Sequence, residues 1–355
     1  MNWRVPLADL DYSEAEQQAV LEVLRSRWLT MGSVTQEFES RFAETIRVRH
    51  ALAVANATTA LHLACLALGI GPTDEVIVPS LTFVATANAV LYTGADVIFA
   101  DIQGEDDLTI APGDIERCIT PRTKAVIVMH YGGYACDMPA ILEVANRNGL
   151  RVIEDAAHAP GAWLNGRALG TWGDVGCFSF FSNKNLSTGE GGMLVTNDDA
   201  IADRVRKLRS HGMTSLTWDR HQGHAYSYDV VELGYNYRID EIRSALGLVQ
   251  LEKLKYNNQK RAELSGMYRR MLLKSGVGLP FSEYRGESAY HLQPVLLPHK
   301  SNRQEFMEMM RREGIQTSIH YPPVHQFSYY RSRYPGVFLP ETEEVAKREV
   351  TLPLY

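Results

Sequence analysis

Short, almost uninterrupted apolar runs alternate with helical patterns through the first half of the chain. Residues 51–55, Glu75–Pro79, Asp96–Ala100, 125–129 and Arg151–Asp155 are such runs. Between them, residues 59–68 and Ala85–Leu91 read as buried helices. Continuous apolar strands separated by helices predict an α/β fold with a largely parallel sheet covered on both faces. Ligands of such sheets bind at the carboxyl ends of the strands. Those ends carry polar groups at residues 56–59, 79–83, 130–133 and 155–158.

The second half changes character. Residues 240–274 are long, charged and helical, with Ala245, Leu248, Leu251 and Leu254 forming an apolar stripe at helical spacing. A strand over 290–297, a helix over 303–313 and a strand over 316–320 then predict a smaller α+β unit. The expected division is a large domain over 1–245 and a small C-terminal domain over 246–355. The chain ends within Leu352-Pro353-Leu354-Tyr355, with no terminal helix expected.

Composition narrows the class. Of 355 residues, 45% are hydrophobic and 22% charged, ordinary for a globular protein. A formal net charge of -6 and no long basic run argue against nucleic-acid binding. No apolar stretch reaches the roughly 18 residues of a membrane span. The first residues, Met1 to Leu7, lack the basic-then-apolar pattern of a secretory signal. Cys65, Cys118, Cys136 and Cys177 show no paired metal-ligand spacing, and Cys65 and Cys177 read as core residues. The setting expected is reducing and cytoplasmic.

The candidate chemistry centres on Lys184. It follows the apolar run Phe178-Ser179-Phe180-Phe181 and precedes Gly189-Glu190-Gly191-Gly192 and a second apolar run, Met193-Leu194-Val195. A lysine held in a tight turn at the end of a buried strand is poorly solvated. Desolvation favours the neutral amine, which can attack a carbonyl and form a Schiff base. A surface lysine in a hairpin fits the same stretch. Asp155 ends a strand, where a desolvated carboxylate suits a protonated pyridine nitrogen, or a helix N-cap. Asn56-Ala57-Thr58-Thr59 joins a strand to a helix, placing N–H groups and two hydroxyls where a phosphate binds, or where Thr58 caps the helix. Phe83 offers a ring to stack on a planar cofactor or on the core. His158 is placed to meet a ring hydroxyl or to be a satisfied buried histidine. His320 and His325 bracket Tyr321-Pro322-Pro323, and the prolines break the helix a two-histidine metal site needs. No metal is expected. Asn236 and Arg238 lie in an aromatic loop, Tyr235 to Arg238, suited to burial against a ligand or partner.

Taken in order, these segments resemble the DegT/DnrJ family of fold-type I, pyridoxal-phosphate-dependent sugar aminotransferases. The resemblance runs from about Pro6 to His325. It includes Trp28-Leu29-Thr30-Met31-Gly32, Asn56 to Leu61, Pro79 to Thr86, His130-Tyr131-Gly132-Gly133, Glu154 to His158, Phe178 to Gly192 and Leu233 to Arg238. It implies that Lys184 carries pyridoxal 5'-phosphate as a Schiff base and shuttles the proton, and that Asp155 pairs with the pyridinium nitrogen. It further implies phosphate binding by Thr58, Thr59 and Ser179, stacking by Phe83, and His158 near the ring hydroxyl. Asn236 would reach the cofactor of a second subunit, which makes a homodimer the functional unit. Arg238, Tyr321 and His325 match the substrate side. The family usually has Gly where Ala57 stands, and usually continues past Leu-Pro-Leu into a final helix.

The reaction implied is transamination in two halves. Glutamate or glutamine leaves its amino group on the cofactor as pyridoxamine 5'-phosphate. A keto sugar then takes it up, and the nucleotide-linked 4-keto-6-deoxy class is expected. Amination of a 3-keto sugar or a cyclitol is an alternative. Sugar dehydration is another, although relatives with that activity replace the lysine with His. A non-catalytic regulatory protein on the same fold is the third.

Overall fold

The computed structural model describes residues 3–215, 218, 223 and 227–355. Two helices, α1 (Glu14–Ser26) and α2 (Ser33–Ile46), precede the sheet. The chain then runs β1 (His50–Val54), α3 (Ala57–Ala67), β2 (Glu75–Pro79), α4 (Ala85–Leu91), β3 (Asp96–Ala100), α5 (Pro112–Arg117), β4 (Thr123–Met129), α6 (Met138–Asn148) and β5 (Arg151–Asp155). A small hairpin follows, β6 (Trp163–Leu164) and β7 (Arg167–Ala168), then β8 (Val175–Ser179), β9 (Gly192–Thr196) and α7 (Asp199–Leu208). The long helix α8 (Glu241–Leu272) leads to β10 (Gln293–Leu296), α9 (Arg303–Arg312), α10 (Ser328–Arg333), α11 (Pro340–Arg348) and β11 (Glu349–Leu352).

Seven strands form the central sheet in the order β1-β9-β8-β5-β4-β2-β3. Pairs from β8 through β3 are parallel, and β9 runs antiparallel to both its neighbours. The parallel strands are apolar throughout because both faces are covered. In β1, Leu52 and Val54 enter one core with Leu61, Val90 and Val205, while Ala51 and Ala53 face Phe38, Phe42, Phe178 and Phe180. In β4, Ala125 and Ile127 join the first core, and Val126 and Val128 pack with Ile141 and Val152. This alternation is the period of two expected of a strand. None of the described helices is long and apolar enough to cross a membrane.

The helix α8 ties two cores together. Asp240 caps it by accepting the Arg243 N–H at 2.9 Å. Ala245 and Leu254 are buried, and Leu248 and Leu251 pack against the aromatic core. Near its far end, Tyr268 and Leu272 lie against Val295 and Leu297 beside β10 and Val350 and Leu352 of β11.

Two expectations change here. The strand expected over 316–320 is not formed. That segment makes an isolated bridge between Ser318 and Thr351, and Ile315 just before it bridges Val5. Its Gln316 side chain is used instead to accept the Leu7 N–H at 3.0 Å. The ladder beside β10 is supplied by β11, in register from Gln293↔Leu352 to Leu296↔Glu349. Neither α11 nor β11 was expected from the sequence.

Candidate active site

The carboxyl ends of β1, β2, β4, β5 and β8 place the expected groups on one edge of the sheet. Ser179 ends β8 and pairs with Gly192 at the start of β9. The loop between them carries Lys184, whose N–H donates to Phe181 O at 2.9 Å. Burial pushes the Lys184 amine down to about 7, and the Asp155 carboxylate opposes that shift. A large fraction is therefore neutral at neutral pH.

Asp155 is buried at the end of β5, in register with Met129 and Cys177. No helix follows it, so it caps none. Its Oδ2 accepts the Thr86 hydroxyl at 2.7 Å, and Thr86 lies 2.7 Å from the Thr82 hydroxyl. Its Oδ1 accepts the Ala157 N–H at 3.2 Å. Burial raises its pKa, while Thr86, the Ala157 N–H, Lys184 and His130 favour the charged form. The carboxylate is thus buried, anchored on both oxygens and, among the described residues, in no salt bridge. A cationic ring nitrogen would supply one.

The start of α3 divides its polar groups. Asn56, not Thr58, is the N-cap: its Oδ1 accepts the Thr59 N–H at 2.9 Å. Thr59 completes the box by accepting the Asn56 N–H on its Oγ1 at 3.3 Å, and its hydroxyl also donates to Asn56 O at 2.7 Å. The Thr59 hydroxyl expected to hold phosphate is thus engaged with the backbone. Among the described residues, the Thr58 hydroxyl and the Ala57 and Thr58 N–H groups have no protein partner. They sit at the positive end of a helix, a natural anion cradle. Gly192 packs under it so tightly that a Cβ there would lie 2.5 Å from Asn56 C and 2.7 Å from Ala57 N.

His158 is buried, and its ring is fixed at both nitrogens. Nδ1 accepts the Gly132 N–H at 3.2 Å, and Nε2 lies 2.8 Å from the Tyr321 hydroxyl. The accepting Nδ1 puts the proton on Nε2, which donates to Tyr321. Burial, with Lys184 and His320 nearby, pushes His158 well below its ordinary pKa. Tyr321 also faces Phe83, with ring centroids 6.0 Å apart. Phe83 is 55% exposed, a ring face open at the edge of the sheet.

The remaining expected residues are spread around this edge. Ser179 is buried, and its Oγ accepts the Phe181 N–H at 3.3 Å. Asn236 is exposed, and its main chain bridges Ser210. Arg238 bridges Val54 and donates to Ser210 Oγ at 3.2 Å, beside the cradle. His325 departs from expectation. It is 4% exposed, and its N–H donates to Ser80 Oγ at 3.1 Å. The Ser80 hydroxyl lies 2.7 Å from its Nδ1, and Glu343 lies 3.2 Å from its Nε2. With both nitrogens engaged, His325 clamps its segment to the end of β2 and presents nothing to a substrate.

Sequence reasoning missed His291. Its Nε2 lies 3.3 Å from Lys184 Nζ, across a separation of 107 residues. Asn185 and Asn258 stand behind it. Asn185 had one available signal, its place next to Lys184. A single histidine in Ala289-Tyr290-His291-Leu292 carried none. Among the described residues no group of three or more His, Cys, Asp or Glu is arranged to hold a metal ion.

The donor set fits a phosphorylated pyridine aldehyde: an amine for the aldehyde, a buried carboxylate for the ring nitrogen and an anion cradle at a helix start. Comparison with known proteins agrees. Residues 11–355 match the DegT/DnrJ/EryC1/StrS aminotransferase family. The spore coat polysaccharide biosynthesis protein SpsC of Bacillus subtilis (strain 168) is 42% identical over 348 residues, 96% of this chain and 89% of that protein. The putative sugar aminotransferase Spr1654 of Streptococcus pneumoniae, in its PLP-form, superposes with a TM-score of 0.92 at 27% identity, covering 99% of this chain and 93% of that one. DesI, solved in the presence of its TDP-sugar product, gives a TM-score of 0.88 at 32% identity over 99% and 88% of the two chains. The chain belongs to the DegT/DnrJ/EryC1/StrS aminotransferase family.

Proposed function

We propose that this aminotransferase moves an amino group from glutamate or glutamine to a nucleotide-linked 4-keto-6-deoxy sugar. The observation that carries the reading is the Lys184 amine, its pKa pushed down to about 7 by burial, on the same strand edge as Asp155 and the Thr58 cradle. DesI, a structural neighbour solved with a TDP-sugar, supports the nucleotide-linked class. Pyridoxal phosphate, when bound, supplies an electron sink for the pair left on the α-carbon of the amino acid.

This chain's residues do the rest. Thr58 and the first N–H groups of α3 would hold the phosphate, with Ser179 at the end of β8 beside them. Asp155 would keep the ring nitrogen protonated, its carboxylate held in place by Thr86 and the Ala157 N–H. Phe83 would cover one ring face. His158 and Tyr321 would set the proton at the ring hydroxyl. Lys184, once freed as a neutral amine, takes the proton from the α-carbon of the donor and delivers it in the next step. The same lysine serves both halves, because the second half is the first in reverse.

The active unit is proposed to be a homodimer in the cytoplasm. Asn236 sits on an exposed loop, and nearby Leu233 is 84% exposed with Val230 and Val231 also exposed. A patch of this kind is suited to burial against a second copy. The deciding experiment follows the visible absorbance of the loaded enzyme after adding glutamate or glutamine, then a panel of nucleotide keto sugars with products read by mass spectrometry. Loss of the band with the donor, and its return with a 4-keto sugar, is expected. A band unmoved by either donor, or normal turnover by Lys184→Ala, overturns the reading.

A further inference from the structure

His291 is almost fully buried, and its position is set from three sides. Its main-chain N–H donates to Gly132 O at 2.8 Å. Arg261 approaches its carbonyl at 3.5 Å. Its Nδ1 lies 3.0 Å from Asn185 Oδ1. Gly133, next to Gly132, allows this packing: a Cβ there would lie 2.8 Å from His158 O and 3.1 Å from Tyr290 N.

Two main-chain carbonyls determine where the His291 proton sits. Pro160 O accepts from Asn258 Nδ2 at 2.9 Å, and a carbonyl can only accept. The other end of that amide, Asn258 Oδ1, therefore faces Asn185 Nδ2, at 2.8 Å. Asn185 Nδ2 also donates to Ala289 O at 2.6 Å, which fixes its amide independently. Asn185 Oδ1 is left to face His291 Nδ1, so Nδ1 must donate. In a neutral ring, Nε2 is then a bare acceptor, and it points at Lys184 Nζ. The neighbouring charges favour the neutral ring: Lys184, His158, Arg261 and His320 all oppose protonation of His291, after burial itself.

We propose that His291, oriented by Asn185 and Asn258, is a positioning residue that accepts a hydrogen bond from the Lys184 amine and leaves the amine's lone pair unclaimed. The inference rests on the reading of Lys184 as the cofactor-carrying lysine. The tautomer is what matters. A ring presenting N–H at the same place would donate into the lone pair and block it. The accepting ring instead ties up one amine hydrogen and directs the lone pair elsewhere. The amine thus keeps one address, ready for a proton, whenever it is not bonded to the cofactor. The groups facing the amine are Asp155, His158, His291 and His320.

The test uses the cofactor-free protein and two variants. His291→Gln keeps an acceptor; His291→Leu removes it. Acylation of Lys184 is followed against pH by mass spectrometry of its peptide. An acceptor stabilises the ammonium more than the amine, so His291→Leu should lower the labelling midpoint by about one pH unit, with the Gln variant within about 0.3 unit of the parent. A parent midpoint in the Leu variant overturns the proposal. If the Leu variant does not fold, the nitrogen NMR spectrum of the histidine-labelled parent decides, with His291→Gln giving the assignment. A protonated Nδ1 and bare Nε2 support it, and an N–H at Nε2 overturns it. Borohydride reduction of the loaded protein separates the two claims. A pyridoxyl group on another lysine removes the underlying reading. A pyridoxyl group on Lys184 with an unmoved Leu midpoint removes only this one.

Discussion

His158 and His291 lie with ring centroids 4.4 Å apart and carry their protons on opposite nitrogens. Gly132 contacts both: its N–H donates to the His158 ring and so sets that proton, while its O holds the His291 main chain and Asn185 sets the His291 proton. Both rings are pushed well below the ordinary histidine pKa by burial. Two imidazolium ions at this spacing, beside Lys184, would repel strongly in a site with little water. The pair therefore works as two neutral, oppositely oriented rings. One hands a proton toward Tyr321, and the other offers a lone pair to Lys184.

Tyr321→Phe should expose that dependence. It leaves the His158 Nε2–H buried without an acceptor, which costs about 1–3 kcal/mol. In a His158→Leu background the same change should cost under about 0.5 kcal/mol, because no donor remains to be stranded. Denaturant unfolding of the four cofactor-free proteins gives the coupling. Equal costs in both backgrounds would mean that the hydroxyl and the ring act independently.

Lys184 should cost stability at neutral pH. Its folded pKa of about 7 lies below the roughly 10.4 of an unfolded lysine. Between those values the unfolded chain binds a proton that the folded chain does not, so stability rises with pH through that window. Below it the penalty is complete. Lys184→Met should therefore stabilise the cofactor-free protein by about 1–3 kcal/mol near pH 6, an advantage that fades toward about pH 10. Thermal melts across that range provide the check. A gain that stays constant with pH would come from packing, not charge.

The strands were legible because burial on both faces leaves continuous apolar runs. Glu75–Pro79, Asp96–Ala100 and Arg151–Asp155 match their expected limits, as does the helix Ala85–Leu91. Asp155 stood out as a candidate because it ends such a run, and Lys184 because it follows one. The last quarter was harder to read. The helix α11 is rich in charge and buries only part of one face, and β11 is four residues long, so neither shows a clear period. The partner of Lys184 was beyond reach for a different reason. His291 is brought to it by the packing of Gly132, Asn185 and Asn258, which come from separate parts of the chain. Thr58 and Thr59 looked equivalent in sequence, and only the cap geometry distinguishes them.

That distinction makes a paired prediction. Thr58→Val should weaken pyridoxal phosphate binding about tenfold and leave the cofactor-free protein's melting point almost unchanged, since the hydroxyl has no partner to lose among the described residues. Thr59→Val breaks the capping box and should destabilise the cofactor-free protein by about 1 kcal/mol, with a smaller effect on affinity. Equilibrium titration with cofactor and melts without it measure the two effects. A reversal of the pattern would assign the phosphate contact to Thr59.

Glu349 supplies a pH dependence of the opposite sign. It is fully buried in β11; its Oε1 accepts the Thr351 hydroxyl at 2.6 Å and its Oε2 the His320 N–H at 2.9 Å. Burial pushes its carboxyl up to about 8, against an unfolded value of roughly 4.3. Between those values the folded chain holds a proton that the unfolded chain has lost. Its contribution is complete below the unfolded value and disappears as pH rises through the folded one. Glu349→Gln keeps a neutral acceptor on the His320 N–H but cannot ionise. The variant should be less stable than the parent near pH 5, where its second amide proton lacks the fit of the carboxylic acid, and more stable above about pH 8. Melting curves taken from about pH 5 to about pH 9 should therefore cross. Parallel curves would show that Glu349 is already ionised in the folded protein at pH 5, with Arg303, the nearby cation, balancing it in spite of burial.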